Sequence, residues 1–398
     1  MATFDFKDIE HTGPGTLAGR YLRMHWQPVL RAQDLPAGRA KPIRIMGEDL
    51  TLYRGQANPH PSPLPGGAGS KPHLLAFRCA HRGTQLSTGW VEGDDLRCFY
   101  HGWKYDGNGQ CIEQPAEPEP FCNRIKIRSY PTEEYLGLIF VYLGEGEAPP
   151  LRRFPDFERD GVLETGTPEY WPCNYFNRID NAADSAHLMF THYTSMSRNN
   201  RAPRWAAPQI SAEETEFGVC QTVVSPGRSP HQTFFHMPNI NQIRSSSRVQ
   251  GSREDAANMW HDRLFWRLPV DDENSVSFLV DFLHLTGEAA DAYLARRHQA
   301  AEESDPDEGE RCLSGETSIR DLDDRTAIYD MFWIEDYVAQ TGQGRIATRT
   351  AEHSGRSDTG VMFIRKLWER ELQRVANGEP IKHWYEPAGM TDRLAIPV

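Results

Sequence analysis

Residues 79–103, CAHRGTQLSTGWVEGDDLRCFYHGW, contain two short segments that each carry one cysteine and one histidine. One residue separates Cys79 from His81, two separate Cys98 from His101, and sixteen lie between the two pairs. A zinc finger would instead place two cysteines on one segment and two histidines on the other. Mixed pairs at the spacing of hairpin loops are unusual, so this stretch predicts a metal centre held by two loops.

The donor set of this stretch matches one kind of iron–sulfur centre. A Rieske [2Fe-2S] cluster takes two cysteine thiolates on one iron and two histidine imidazoles on the other. Gly83 and Gly102 follow the two pairs, and a residue without a Cβ lets the backbone approach such a centre closely. The alternatives are a zinc site or four unconnected core residues. The pattern favours all four residues as ligands of a [2Fe-2S] cluster.

The composition is that of a globular protein. Of 398 residues, 38% are hydrophobic and 11% aromatic, which excludes a wholly disordered or low-complexity chain. The net charge is −13 without a basic run, so binding to nucleic acid or to an anionic membrane is disfavoured. The longest apolar stretch, at 135–143, is too short for a membrane helix. The first twenty residues lack the apolar core of a secretory signal, so we expect a cytoplasmic protein.

The distribution of strand and helix patterns predicts two domains. Residues 1–150 open with a helical segment, and short strand patterns then recur between turn-rich loops, which is typical of a small all-β domain. The sequence GEGEAPP at 144–150 has the composition of a linker. Residues 151–398 combine strand patterns with helices, including an amphipathic helix at 360–374 that could pack across a sheet. An α+β chain is therefore expected.

A second group of possible ligands lies in IDNAADSAHLMFTH, residues 179–192, where a helix is expected to start near residue 175. Asp184 and His187 share a helix face, whereas His192 would be rotated by about 140° from His187. A common metal therefore requires a bulge or a helix end between the two histidines. Two histidines and a carboxylate form the facial triad that holds Fe(II) in non-haem oxygenases. A hydrogen-bonded core histidine is the commoner alternative.

Together the two motifs resemble those of the Rieske non-haem iron oxygenases. Residues 11–55, HTGPGTLAGRYLRMHWQPVLRAQDLPAGRAKPIRIMGEDLTLYRG, are similar to the opening of phthalate-dioxygenase-like and 5,5'-dehydrodivanillate O-demethylase-like members. The resemblance implies a terminal oxygenase component, or α subunit, that forms a homotrimer. Residues 1–150 would form the Rieske [2Fe-2S] domain. Residues 151–398 would form a catalytic domain with the helix-grip fold, which is an antiparallel sheet that packs against a long helix. A mononuclear Fe(II) and O2 as co-substrate follow from the same resemblance.

The resemblance also assigns roles within the second motif. His187 and His192 match the histidines of the family's Asn/Asp…His-x4-His signature and would ligate the iron. Asp184 would link the two metal centres by bonding to His187 and to His101 of a neighbouring subunit in a head-to-tail trimer. Asn181 would lie near the iron.

The third iron ligand is expected far along the chain, because family members supply it from a distant aspartate. In FWIEDYVAQTGQG, Asp336 lies 144 residues after His192 and resembles the family's E/Q-D element. Its aromatic and apolar neighbours could wall a pocket. Several nearby acidic residues compete for this role: Glu335, Asp330, Asp321, Asp323 and Asp324.

The resemblance further implies partners and a reaction. A separate NADH-dependent reductase, with or without a ferredoxin, is expected because no GxGxxG lies between a strand and a helix. The substrate would be a small aromatic compound, either a methoxylated aromatic acid that is O-demethylated or a ring that is hydroxylated. A Rieske-type electron carrier without oxygenase activity and a zinc-stabilised binding protein remain as alternatives. The residues considered for the pocket are Met189, Phe190, Phe234, His236, Asn239, Phe265 and His284.

Overall fold

A computed structural model describes most of the chain, namely residues 5–56, 70–193, 195, 207–225, 230–246, 260–302, 305, 307–322 and 328–394. The chain forms two compact units, Thr12–Leu151 and Met1–His11 with Arg152–Val398. Among the helices of the described ranges, none has both the length and the apolar character needed to cross a membrane.

The first residues of the chain pack with the second unit, although the sequence pattern assigned all of 1–150 to one N-terminal domain. Ile9 is fully buried, and the Tyr175 hydroxyl donates to its carbonyl at 2.9 Å. The Arg349 guanidinium donates to Glu10 at 2.7 Å. Apolar burial and this ion pair hold the first helix to the second unit, and the linear pattern gave no sign of such distant partners.

Most of the helical residues lie in the second unit. In chain order the described α-helices are α1 (Lys7–Glu10), α2 (Leu17–Arg23), α3 (Tyr175–Ala183), α4 (Glu288–Glu302), α5 (Glu308–Ser314), α6 (Ile328–Thr341) and α7 (Thr359–Asn377). Helix α7 covers the amphipathic pattern predicted at 360–374, which confirms that prediction. It is followed by Gly378, whose φ of +69° is the left-handed conformation that favours glycine after a helix.

The first unit consists of short antiparallel strands. They are β1 (Gln27–Arg31), β2 (Ala40–Ile45), β3 (Glu48–Arg54), β4 (Pro72–Ala76), β5 (Trp90–Glu92), β6 (Asp95–Arg97), β7 (Lys104–Tyr105), β8 (Cys111–Glu113), β9 (Ser129–Tyr130), β10 (Thr132–Tyr135) and β11 (Leu138–Val141). They form three sheets, with strand orders β1-β11-β10, β2-β3-β4-β9 and β5-β6-β7-β8. Leu75, Leu96 and Tyr105 join two of these sheets in one buried core. Because β4 and β6 end shortly before Cys79 and Cys98, this core positions both cysteines.

The second unit is built on one large antiparallel sheet. Its strands are β12 (Val162–Thr165), β13 (Glu169–Trp171), β14 (Gln209–Glu214), β15 (Gly218–Val224), β16 (His231–His236), β17 (Ile240–Ser246), β18 (Trp260–Pro269) and β19 (Ser275–Leu283). Their order is β12-β19-β18-β17-β16-β15-β14, and β13 also pairs with β19. Strand β19 is buried along its whole length, because both of its faces are covered.

Helices α3 and α7 pack against each other and against the sheet. The Trp368 ring is fully buried, lies 5.4 Å from the Phe176 ring between centroids, and donates to the Pro238 carbonyl at 3.0 Å. At Gly360 a Cβ would lie 2.4 Å from the Ala183 carbonyl oxygen, so the two helices approach there too closely for any other residue. Helix α7 therefore fixes the C-terminal end of α3, from which the second motif continues.

Candidate metal centres

Two loops of the first unit carry the cysteine–histidine pairs, and they share one backbone pattern. The Gly83 amide donates to the Cys79 carbonyl at 3.0 Å, and the Gly102 amide donates to the Cys98 carbonyl at 3.0 Å. The φ angles of the two glycines are +77° and +74°. Residues with a Cβ rarely adopt this left-handed conformation, so each glycine allows its loop to turn back after the ligand pair.

The two imidazoles of these loops lie side by side. The ring centroids of His81 and His101 are 4.4 Å apart, and His81 stacks on the Trp103 indole at 4.6 Å. The Nδ1 atom of His81 is buried, and it has no hydrogen-bond partner among the described residues. A buried polar atom without a partner costs free energy. The arrangement therefore fits an imidazole whose Nδ1 binds a metal.

The two thiols, which lie on the same two loops, are both buried. The Tyr105 hydroxyl lies 3.2 Å from Cys79 Sγ and accepts a hydrogen bond from the Ala80 amide. Burial raises the pKa of the Cys79 thiol, and the neighbouring Cys98 raises it further, against the lowering effect of the Tyr105 hydroxyl. Two buried thiols that interact with each other fit ligation by a cation, because a cation favours their thiolate forms. The donor set thus fits a [2Fe-2S] cluster.

The second motif begins at the end of α3, where the chain leaves the helix. Asp184 ends α3 because its Oδ1 accepts from the amides of Ala186 at 2.9 Å and His187 at 3.2 Å. A short 3-10 turn, His187–Met189, follows. This break confirms the interruption that the spacing of His187 and His192 predicted, and it turns both imidazoles toward one point.

Three side chains converge at that point. The Nε2 atoms of His187 and His192 lie 3.6 Å and 3.4 Å from Asp336 Oδ1, and one ligand atom from each of the three falls within 4.8 Å of the others. Asp336 lies on α6, so α6 supplies the carboxylate and the segment after α3 supplies both imidazoles. This donor set fits an Fe(II) facial triad.

The ionisation of these groups favours a bound cation. Burial alone would raise the pKa of Asp336, but His192, His187 and Arg267 outweigh it and hold that pKa well below its usual range. Burial lowers the pKa of His187, against the effect of Asp336. Burial would also lower the pKa of His192, but Asp336 and Glu335 outweigh it and raise that pKa to about 9. A metal must displace the proton of His192 to bind its imidazole, and the raised pKa of His192 shows that two negative charges, which also favour a metal cation, lie close to this ring.

Asn181 contacts the predicted carboxylate ligand, whereas Asp184 contacts the first histidine of the motif. Asn181 Nδ2 donates to Asp336 Oδ1 at 3.2 Å, so the amide contacts the predicted carboxylate ligand directly. The Nδ1 atom of His187 is hydrogen-bonded to the backbone carbonyl of Asp184. The expected bond from the Asp184 carboxylate to the His187 ring is replaced by this backbone bond, because the carboxylate is already engaged by backbone amides at the helix end.

The two competitors of Asp336 whose side chains are described, Glu335 and Asp321, do not face the point where the three ligand atoms converge. Glu335 Oε2 faces Nδ1 of His192 at 2.8 Å, on the side of the ring away from Asp336. Asp321 accepts from the Ser318 amide at 3.1 Å in an exposed turn. Two of the others, Asp323 and Asp324, lie outside the described residues, as does the side chain of Asp330.

Several residues considered for the pocket have structural partners. Phe234 belongs to a buried hydrophobic cluster. His236 Nδ1 lies 2.8 Å from Glu386 Oε2, and His284 Nε2 lies 2.8 Å from Asp262 Oδ2. These contacts place the three residues in the framework of the sheet.

Two of the remaining residues, Met189 and Phe190, follow His187 in the second motif. Met189 is buried and Phe190 is half exposed, and both belong to the turn after α3. The Asn239 side chain donates to the Arg267 carbonyl at 2.9 Å. Of the residues considered for the pocket, Met189 and Phe190 therefore adjoin the predicted iron ligands along the chain.

A pair of buried arginines near the triad was not predicted. Arg178 on α3 and Arg267 on β18 share the Glu169 carboxylate, at 2.5 Å and 3.5 Å. Neither Nε atom has a hydrogen-bond partner among the described residues. Burial and, to a smaller extent, the neighbouring Arg178 lower the pKa of Arg267 to about 9, and the group stays charged at neutral pH. Arg267 also stacks on Phe265 at 4.4 Å. No local spacing joins these residues, so the sequence alone held no signal for them.

Comparison with known proteins gives matches of three kinds. A family model described as the Rieske [2Fe-2S] domain matches residues 25–131. The chain is 26% identical to the 5,5'-dehydrodivanillate O-demethylase oxygenase subunit of Sphingobium sp. (strain NBRC 103272 / SYK-6), over 98% of this chain and 84% of the relative. It is 28% identical to the phenoxybenzoate dioxygenase subunit alpha of Ectopseudomonas oleovorans, over 94% of this chain and 85% of the relative.

Solved structures show the same fold. Pseudomonas putida CBB5 NdmA aligns with a TM-score of 0.62 and 21% identity, over 90% of this chain and 93% of that one. The oxygenase in its reduced complex with ferredoxin in carbazole 1,9a-dioxygenase aligns with a TM-score of 0.60 and 18% identity, over 96% and 100%. These alignments confirm the predicted α+β architecture of a Rieske domain followed by a helix-grip domain.

The similarity extends well beyond the Rieske domain. A protein that only carries electrons needs no second domain, whereas the relatives aligned over nearly the whole chain are oxygenase subunits. The predicted family, enzyme class and cofactors are therefore confirmed. The chain carries the Rieske domain and is similar over nearly its whole length to α subunits of the Rieske non-haem iron oxygenases, and these matches support a [2Fe-2S] cluster, a mononuclear iron and O2 as its cofactors and co-substrate.

Proposed function

We propose that this chain is the terminal component of a multicomponent oxygenase that oxidises a small aromatic substrate. Electrons derived from NADH would come from a separate reductase, with or without a ferredoxin, and the protein would act as a homotrimer. The observation that carries the proposal is the convergence of His187, His192 and Asp336 on one point. Two imidazoles and one carboxylate leave positions of an iron open, and bound iron supplies the activation of O2.

The residues of the chain have distinct tasks in this proposal. The two imidazoles and the carboxylate hold the iron, and Asn181 fixes the carboxylate through its hydrogen bond to Asp336. The cluster is held by Cys79, His81, Cys98 and His101. The relatives that support an aromatic substrate are named as an O-demethylase subunit and a phenoxybenzoate dioxygenase subunit.

The test is a panel of aromatic compounds assayed with a reductase for coupled consumption of NADH and O2. O-demethylation of a methoxyl group releases one formaldehyde per turnover, with the ring oxygen retained as a hydroxyl group. Ring hydroxylation releases none. An electron carrier without oxygenase activity would accept electrons but consume no O2 in response to any aromatic compound, and that result would contradict the proposal.

We propose that the substrate carries a carboxylate. Among the described residues, Arg178 and Arg267 share the carboxylate of Glu169, and Asp336, which also acts on Arg267, is committed to the iron. Buried charges are normally paired, and with a divalent iron bound, the two arginines and the ion carry more positive charge than the carboxylates of Glu169, Glu335 and Asp336 balance. An aromatic acid would supply the missing negative charge, with the ring in the apolar part of the site. This favours a methoxylated aromatic acid over its neutral analogue.

Replacing Arg267 with glutamine should raise the KM for an aromatic acid substrate about 10- to 100-fold, the range set by one hydrogen bond to a charged group. The KM for the matching methyl ester should change little. Arg244→Gln is the matched control, because Arg244 is fully paired with Asp262 at 2.8 and 3.0 Å. Equal effects of Arg267→Gln on acid and ester would contradict a carboxylate-binding role.

Asp184 is proposed to link the two metal centres. Asparagine at this position keeps the Oδ1 acceptor for the amides of Ala186 and His187, so the helix end should stay intact. We expect Asp184→Asn to bind both metals normally but to slow reoxidation of the reduced cluster about 10- to 100-fold, because its second carboxylate oxygen becomes an amide NH2 that cannot accept a hydrogen bond from His101 of a neighbouring subunit. Rapid-mixing single-turnover measurements with substrate and O2 test this, and an unchanged rate would argue against the link.

A further inference from the structure

The carboxylate next to the predicted third ligand also acts on the metal site. We propose that Glu335 is the positioning residue of His192: it holds Nδ1 of the imidazole so that Nε2 points to the metal, and it raises the affinity of the site for a divalent cation. The inference rests on His192 being a ligand, as the proposed function requires. It adds a residue that acts through a ligand without binding the metal itself.

The contacts of Glu335 are short and protected from water. Its Oε2 lies 2.8 Å from His192 Nδ1 and accepts from the Ser195 hydroxyl at 2.6 Å. The exposed fraction is 2% for the His192 side chain and 1% for the Glu335 side chain. Water therefore cannot take the place of either partner, and the ring can turn only by breaking the bond to the carboxylate.

Helix α6 holds the His192 ring from three directions. Asp336 faces Nε2 at 3.4 Å, Glu335 faces Nδ1, and the Phe332 ring lies 4.6 Å from the imidazole between centroids. Consecutive helix residues point about 100° apart, so two adjacent acidic residues can reach opposite nitrogens of one ring inserted between them. This arrangement explains why Glu335 precedes Asp336 without being a ligand.

Structural stability alone does not explain why a glutamate is buried at position 335. Its Oε1 atom is buried and has no hydrogen-bond partner among the described residues. Burying an ionised carboxylate is unfavourable unless its oxygens are satisfied. A carboxylate that accepts from a metal-binding imidazole makes the second nitrogen a stronger donor to the metal, and such partners commonly change metal affinity or activity 10- to 100-fold on removal.

The two histidine ligands differ in the group that holds their Nδ1 atom. His187 Nδ1 is hydrogen-bonded to the Asp184 backbone carbonyl, a neutral group that no side-chain substitution removes. His192 Nδ1 is bonded to a charged side chain. We therefore expect the affinity of the site to depend on Glu335 through His192 alone.

The experiment compares Glu335→Gln and Glu335→Ala in the cluster-loaded full-length protein. Co(II) is titrated into protein freed of mononuclear iron, and the exchangeable imidazole N–H resonances of the Co(II) form are recorded by NMR. We expect Glu335→Ala to lower Co(II) affinity 10- to 100-fold and to lose the exchangeable resonance of His192. Glu335→Gln keeps an acceptor without the charge, so its affinity should fall between those of wild type and Glu335→Ala, with the resonance retained but shifted.

Two further variants separate the possible outcomes. Glu371→Gln is the matched control, because Glu371 is also buried and accepts from the Lys382 amide at 2.9 Å, away from the metal ligands; its Co(II) affinity should equal that of wild type. His192→Ala should lose Co(II) binding. Wild-type affinity and an unshifted resonance in both Glu335 variants would overturn the positioning role. Wild-type affinity in His192→Ala would instead overturn the ligand assignment, and with it the proposed function.

Discussion

Asp336→Ala is expected to remove the mononuclear iron and abolish turnover while leaving the absorbance of the Rieske cluster unchanged. Both histidine Nε2 atoms lie within 3.6 Å of Asp336 Oδ1, so the substitution removes the group on which the site converges. It also removes the negative charge that favours a cation between two buried imidazoles. Iron analysis should fall from three to two atoms per chain.

Asp321→Ala is the control for this experiment. Asp321 was a competing acidic residue, but it lies in an exposed turn where it accepts from the Ser318 amide. Its replacement should cost little stability and no iron. If Asp336→Ala retained three irons and normal activity, or if Asp321→Ala lost one, the assignment of the third ligand would be wrong.

Cys98→Ser is expected to abolish the Rieske cluster and with it all NADH-dependent turnover. The hydroxyl of serine is a poor substitute for a thiolate ligand of iron, and cluster binding is coupled to the folding of the two loops. The signal of the reduced cluster in electron paramagnetic resonance should disappear. The thermal stability of the first unit should also fall, because Cys98 and the core residue Leu96 lie in one buried cluster.

Cys220→Ser provides the matched control. Cys220 is equally buried, but it lies on β15 of the second unit in a cluster of apolar side chains. Serine there should cost some stability without affecting the cluster signal. A normal cluster spectrum in Cys98→Ser would contradict the predicted ligand set.

Features that depend on local spacing were predictable from the sequence. The two cysteine–histidine pairs, each followed by a glycine, lie on loops with the same backbone pattern. The rotation between His187 and His192 required a break in the helix, and Asp184 provides it. In both cases residues a few positions apart determine the geometry, so a linear pattern contains the information.

Features that depend on tertiary packing were not predictable. Glu335 was considered as a ligand, but whether it or Asp336 faces Nε2 depends on how α6 lies against the ring of His192. The pairing of Arg178 with Glu169 likewise depends on the contact of α3 with β13. Sequence spacing gave no reason to expect either contact, because each joins elements whose relative position is set by the core.

The distance along the chain between the two halves of the iron site has a thermodynamic consequence. His192 and Asp336 are 144 residues apart, so an ion bound by both closes a loop of that length, as a disulfide would. Closing a long loop restricts the unfolded chain more than closing a short one. A metal held by both residues would therefore act as a reversible cross-link of the second unit, and its release would loosen the connection between α6 and the end of α3 without breaking a covalent bond.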